Sequence, residues 1–258
     1  MGRSATGMFS VEGARVWVTG ASKGLGRAIA EGMLNVGARV ALTARSEESL
    51  RDIVRTLPLG SENALTIAGS VARPEDVTRI VGQIESKWGG LDVLVNCAGI
   101  SHDFTRSENL NLSDWQEVFD VNLTGAFLCS QAASQTMLEN ESGSIINVSS
   151  IHASSGMARL APYSASKAGL ESLTRTLALE WATRGVRVNT VSPGYFATEM
   201  TEGLRGHDAW SARLTGRIPM GRFGEADELV PLIIYLASSA SSYVTGANFN
   251  IDGGWRAE

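Results

Sequence analysis

The chain has 258 residues, 43% of them hydrophobic, with 28 glycines and a formal net charge of −5. That length and apolar content support a sizeable core and fit one α/β domain over residues 1–258 better than two. The acidic balance, without a basic stripe interleaved by aromatics, argues against nucleic acid as a partner, and no apolar run is long enough to span a membrane.

Residues 1–10 read as a short extension whose start, MGRSAT, meets the minimal N-myristoylation pattern, one short enough to arise by chance. Apolar, β-rich stretches then recur at 15–19, 38–44, 64–68, 91–96, 144–149, 186–192 and 247–251, with helical patterns between most of them. Their apolarity is continuous rather than alternating, so the strands are expected to be buried on both faces. That predicts a doubly wound parallel sheet flanked by helices, with ligand at the carboxyl ends of the strands.

The first strand runs directly into TGASKGLG, Thr19 to Gly26, and a helical pattern follows from Arg27 to Val36. Gly20 permits a sharp turn, while Gly24 and Gly26 let the backbone approach a pyrophosphate over the helix N-terminus. The spacing Gly-x-x-x-Gly-x-Gly differs from the more usual Gly-x-Gly-x-x-Gly, but strand, glycine turn and helix stand in the required order. Cys97 lies at a strand end and Cys129 in an apolar helix, as expected of reduced core thiols in a cytoplasmic protein without a secretory signal. His102, His152 and His207 have no metal-ligand spacing, so no metal site is expected.

Ser150 closes the apolar run Ile145 to Val148, and Tyr163 and Lys167 follow in PYSASKAGL, one helical turn apart. Alone, such a tyrosine and lysine are commonly an interface aromatic and a lysine with a snorkelling stem. A fixed cation beside a phenol would instead bring its pKa down towards the working range of a general acid or base.

Together with Asn96-Cys97-Ala98-Gly99 after a strand, Asn122 within a long helix, Pro193-Gly194 and Thr198, these motifs resemble the classical short-chain dehydrogenases/reductases from about Val11 to Gly254. The resemblance implies a seven-stranded Rossmann-like sheet, usually a homotetramer, and an oxidoreductase acting on a CH–OH group. It implies that Tyr163 exchanges a proton with the substrate oxygen, Ser150 orients that oxygen, Lys167 tunes the tyrosine and binds the nicotinamide ribose, and Asn122 holds a relay water. By the same resemblance the cofactor is held by Gly20, Ser22, Lys23, Gly24, Leu25, Gly26, Arg45, Ser70, Val71, Asn96, Ala98, Gly99, Tyr163, Lys167, Pro193, Gly194, Phe196 and Thr198. Cys97 replaces the second asparagine of the usual Asn-Asn-Ala-Gly.

After the second strand, VALTARSEE places Ala44 where a relative using NAD typically carries an acid, and Arg45 follows. An arginine there, with Lys23 nearby, suits the 2′-phosphate of NADP(H), with NAD(H) as the alternative. The substrate is expected to meet Ser150, His152, Ala153, Met157, Tyr195, Phe196, Met200 and Trp210, with His102 able to reach in, under a lid at about 195–220. PGYFATEM and VTGANFNIDGGW resemble gluconate and 2-deoxygluconate dehydrogenases and also 3-oxoacyl-acyl-carrier-protein reductases. An acidic carrier protein needs a basic landing patch, whereas this chain carries Glu139 and Glu141 with only Arg184 nearby, which favours a free ketone or hydroxy compound of sugar-acid, polyol or cyclic type. A cofactor-binding sensor without turnover is the remaining alternative.

Overall fold

The computed structural model describes residues 5–56 and 61–257, so the first four residues of the MGRSAT start lie outside the described residues. The strands are β1 (Arg15–Thr19), β2 (Arg39–Ala44), β3 (Ala64–Ala68), β4 (Val93–Asn96), β5 (Gly143–Val148), β6 (Val186–Pro193) and β7 (Asn248–Ile251). They form one sheet in the order β3-β2-β1-β4-β5-β6-β7, and every pairing is parallel. The helices among the described residues are α1 (Ala5–Met8), α2 (Gly24–Asn35), α3 (Glu47–Thr56), α4 (Pro74–Trp88), α5 (Leu112–Phe119), α6 (Gly125–Glu139), α7 (Ala161–Trp181), α8 (Glu202–Arg205), α9 (Asp208–Thr215) and α10 (Val230–Ala237).

Successive strand residues point to opposite faces, and each face meets its own core. Val16, Val18, Val40, Leu42 and Val95 pack with Ile29 and Met33 of α2 and Ile233 of α10. Trp17, Ala41, Leu94 and Ile145 pack with Ile80 and Ile84 of α4, Met137 of α6 and Leu177 of α7. Burial on both faces is why the strands read as unbroken apolar runs rather than alternating ones. The fourth strand starts at Val93 rather than residue 91; just before it, the Asp92 N–H donates to Arg15 O at 2.9 Å, its carbonyl accepts from Ser144 N–H at 3.0 Å, and its carboxylate accepts from Arg15 Nη2 at 2.6 Å.

The order reverses beside β1, where β2 lies on one side and β4 on the other. Loops leaving adjacent strand ends diverge there, opening a crevice at the sheet edge where such folds bind ligands. One further stretch differs in detail from the sequence expectation. Asn122 lies, as expected, within an unbroken helical run from Leu112 to Glu139, but in a π turn, Asp120–Thr124, between α5 and α6. Gly125 then allows close packing, since a Cβ there would lie 2.8 Å from Val71 Cγ2.

Candidate active site

A cleft of about 560 Å³ runs along the carboxyl ends of β1, β2, β4, β5 and β6. Its first wall is the turn between β1 and α2. Gly20 has φ +67°, and a Cβ on it would lie 2.7 Å from Ala98 Cα; a Cβ on Gly26 would lie 2.2 Å from Gly20 O. Only glycines fit this turn. No side chain caps α2, whose N-cap is Lys23, so its leading N–H groups remain available to an anion beside Gly24, Leu25 and Gly26 in the cleft wall.

Thr19 braces this turn against the loop after β4. Its Oγ1 accepts from the backbone N–H groups of Cys97 and Ala98, both at 3.0 Å. Ser22, Lys23, Arg45, Ser70 and Val71 also line the cleft, together with Ala98, Gly99, Pro193, Gly194, Phe196 and Thr198. Arg45 and Lys23 are exposed, and among the described residues neither forms an ion pair. Glu199, not singled out from sequence, places a carboxylate oxygen 3.4 Å from the Cβ position of Gly24.

Asn96 is a correction: its side chain turns away from the cleft into the core. Nδ2 donates to Asn147 Oδ1 at 2.8 Å and lies 3.0 Å from Ser130 Oγ, so the residue ties β4 to β5 and α6. Only its successors reach the cleft. Asn122 also stays behind the wall. Its Oδ1 accepts from Ile100 N–H at 2.8 Å and its Nδ2 donates to Ile100 O at 3.0 Å, clamping the loop after β4. The carboxamide nevertheless adjoins Lys167, because a Cβ on Gly99 would lie 3.4 Å from both Asn122 Oδ1 and Lys167 Nζ.

The floor is made by β5 and α7. Ser150 follows β5, and α7 begins at Ala161, which puts Tyr163 in its first turn and Lys167 one turn later. The Tyr163 phenol and the Ser150 side chain both line the cleft, and against the larger upward push of burial Ser150 exerts a downward pull on the phenol's pKa. Lys167 Nζ donates to Val148 O at 2.7 Å and stands 5.8 Å from the Tyr163 ring centroid. Burial lowers the Lys167 ammonium to about 8, against an upward pull from Cys97.

The tyrosine does not follow the sequence expectation. Burial raises the Tyr163 phenol above its ordinary value of 10.0, outweighing the downward effect of Ser150, and Cys97 adds to the rise. Desolvation disfavours the phenolate more than its neighbours favour it, so Tyr163 holds its proton at neutral pH. Cys97 and Cys129 are free cysteines, and burial raises the Cys97 thiol to about 11.

At the far end, His152, Met157, Tyr195, Met200 and His102 line the cleft. Trp210 is a second correction. It lies on α9 outside the lining, 43% exposed, with the Arg213 guanidinium 5.4 Å from its ring. Ala153 likewise does not line the cleft. Among the described residues no cluster of His, Cys, Asp or Glu could hold a metal, and no helix is long and apolar enough to cross a membrane.

Sequence reading passed over Glu171, one turn beyond Lys167. Its Oε1 accepts from Ser149 Oγ at 3.2 Å and Ser192 Oγ at 3.0 Å, the residues preceding Ser150 and Pro193. One carboxylate thus joins the catalytic helix to two strand ends. The available signal was its place on α7 at the same spacing that links Tyr163 to Lys167.

A family model described as Enoyl-(Acyl carrier protein) reductase matches residues 20–256. The chain is 40% identical to a 3-oxoacyl-acyl-carrier-protein reductase of Synechocystis sp. over 239 residues, 92% of this chain and 94% of the relative. It is 36% identical to a gluconate 5-dehydrogenase of Gluconobacter oxydans, covering 96% of each. The solved structure of a gluconate 5-dehydrogenase from Burkholderia cenocepacia, in complex with NADP and tartrate, superposes with a TM-score of 0.93 at 33% identity, covering 97% of this chain and 98% of that one. The motifs, the sheet order and these likenesses agree: the chain belongs to the short-chain dehydrogenase/reductase family of oxidoreductases.

Proposed function

We propose that this protein is an NADP(H)-dependent oxidoreductase that interconverts a ketone and a secondary alcohol on a free small molecule. The observation that carries the reading is the meeting of Ser150, Tyr163 and buried Lys167 in the same cleft as the glycine turn. The residues fit a dinucleotide: the Gly20–Gly26 cradle has no room for side chains where the backbone must approach, and α2 offers free N–H groups to a pyrophosphate. Arg45 and Lys23 suit a ribose 2′-phosphate. Bound there, the nicotinamide supplies or takes the hydride.

In the reductive direction Ser150 donates a hydrogen bond to the carbonyl oxygen and Tyr163 gives that oxygen its proton. The raised phenol pKa suits a group that must arrive protonated. As the phenolate forms, the adjacent Lys167 ammonium stabilises it, and Asn122 supports a water path beside the lysine. In oxidation the same proton returns to Tyr163.

One domain over 1–258 serves cofactor and substrate in this reading. The lid at about 195–220 has its own small core, in which Ile151, Tyr195, Leu214 and Ile218 form a buried cluster separate from the two sheet cores. A cytoplasmic homotetramer completes the proposal. The Synechocystis likeness supports a second reading, reduction of a 3-oxoacyl group on a carrier protein. Exposed Glu139 and Glu141 beside exposed Arg184 make a poor landing patch for an acidic partner. A sensor without turnover is disfavoured because Asn122, Ser150, Tyr163 and Lys167 are all present.

The cofactor assignment is tested by titrating NADPH and NADH onto wild type and Arg45→Asp. Wild type is expected to prefer NADPH, and the substitution to weaken NADPH by about tenfold or more, roughly the worth of one charge-assisted contact. Wild-type preference for NADH would refute it.

A further inference from the structure

The substrate end of the cleft contains a hydrogen-bonded pair with a defined direction. His152 is largely buried, and its backbone N–H donates to Ser150 Oγ at 3.1 Å, which fixes it beside the reacting centre. Its Nδ1 lies 3.4 Å from the carbonyl oxygen of Ser155, a group that can only accept. The proton of the neutral imidazole therefore belongs on Nδ1. Burial lowers the His152 pKa, the Ser155 contact opposes this, and Arg217 lowers it further, so the ring is neutral at neutral pH.

Nε2 is then an acceptor, and it lies 3.1 Å from Tyr195 Oη. The phenol donates to it, since its other neighbour, Met157 Sδ at 3.5 Å, is a weak acceptor. Burial also raises the Tyr195 pKa, which keeps that proton in place. With its proton so engaged, Tyr195 Oη presents lone pairs to the cleft. Its position is fixed by Trp255, edge-on with ring centroids 5.0 Å apart, and by Phe223 at 6.1 Å.

The charges at this end match an uncharged partner. Among the described residues, the cations lining the cleft are Lys23 and Arg45 at the glycine-turn end and Lys167, which is held on Val148 O. Asp103 is exposed in the wall near His102. The lid arginines do not line the cleft: Arg205 donates to Thr198 O at 3.2 Å, and Arg213 and Arg217 stack over Trp210 and Trp255. Arg217 is felt by both His152 and Tyr195 from its stack on Trp255 but does not line the cleft, so a carboxylate there would meet an acceptor and an acid with no cation in the wall to pair with directly.

We propose that Tyr195, oriented by His152, accepts a hydrogen bond from a hydroxyl borne close to the reacting carbonyl, and that the substrate is an uncharged hydroxy ketone, or the corresponding diol, rather than a keto acid. This rests on the ketone-reductase reading above. It narrows that reading from any small carbonyl compound to one that carries a donor.

The test compares NADPH-dependent reduction of three cyclohexanones: one with a hydroxyl on the carbon next to the carbonyl, one with a methyl there, and one with a carboxylate one carbon further round. Wild type is expected to favour the hydroxyl compound over its methyl isostere by about tenfold or more in kcat/KM, and the carboxylate compound least. In Tyr195→Phe that ratio should collapse towards unity, with NADPH titration confirming that the variant is folded. A ratio within one enzyme is insensitive to a loss of active protein. A wild-type preference for the carboxylate compound, or an unchanged ratio in Tyr195→Phe, overturns the proposal while leaving the reductase reading intact. Failure to oxidise NADPH with any of the three, or with a wider ketone panel, overturns the reductase reading and the proposal with it.

Discussion

Lys167 and Tyr163 show how far a residue pattern reaches. Their spacing on a helix was legible, as was the need for a cation beside a phenol. The direction of the tyrosine shift was not, because it depends on burial created by other elements. The lysine carries the larger functional consequence, since burial brings it to about 8. Below that pH Lys167 is charged in folded and unfolded chains alike, and the folded state bears the full cost of its desolvation. Between about 8 and 10.5 the unfolded chain binds more protons, so this residue's contribution to stability rises with pH. Activity should respond oppositely. Ketone reduction is expected to decline as pH rises through about 8, where the cation that stabilises the phenolate is lost. A kcat profile against pH checks this, and a rate that stays level well past the lysine's titration would contradict it.

Elements whose two faces are buried announce themselves, as β1, β2, β5 and β6 did; the edge strands β3 and β7 are less buried, yet six of the seven strand positions were legible to within a residue of either end. β4 started two residues late, although the Asp92 backbone still bonds to Arg15 of β1 and Ser144 of β5. The π turn at Asp120–Thr124 could not be read from helix-forming residues; the structure shows it where Asn122, behind the cleft wall, grips Ile100 of the loop after β4. Asn96 misled for a related reason: a polar residue at a strand's carboxyl end can face ligand or core, and here Asn147 and Ser130 draw it inward. Glu171 is the element-scale counterpart of the catalytic pair, a carboxylate on α7 that fixes the ends of β5 and β6. Glu171→Ala removes this shared acceptor, while Ser149 keeps Lys167 O and Ser192 keeps Asn248 Oδ1, and is expected to cost about 0.5–1.5 kcal/mol. Glu171→Gln keeps an acceptor oxygen and should recover much of that loss. Urea midpoints for the three proteins decide the matter, and an alanine variant as stable as wild type would remove the clamp.

For the whole molecule, the sheet order explains why motifs scattered from Thr19 to Thr198 meet in one cleft. Parallel strands deliver their carboxyl ends to the same edge, and the reversal beside β1 opens space between their loops. Sequence motifs identified that edge, but lid geometry depends on packing with no periodic signature, which is why Trp210 was misplaced. Assembly belongs at this scale too. Leu112, Phe127 and Leu179 are exposed on α5, α6 and α7, and α7 packs against both other helices. Light scattering is expected to give about four times the 27.4 kDa chain mass, as the proposed homotetramer requires, and Leu179→Glu to reduce it. A wild-type monomer would contradict the assembly. The proposed chemistry turns on the proton at Tyr163, and the most direct measurement is ketone-dependent NADPH oxidation by Tyr163→Phe beside NADPH binding by the same variant. Turnover should fall by about a hundredfold to ten-thousandfold while binding survives, because the phenyl ring keeps the floor of the cleft but has no proton to give. Turnover close to wild type would contradict the mechanism.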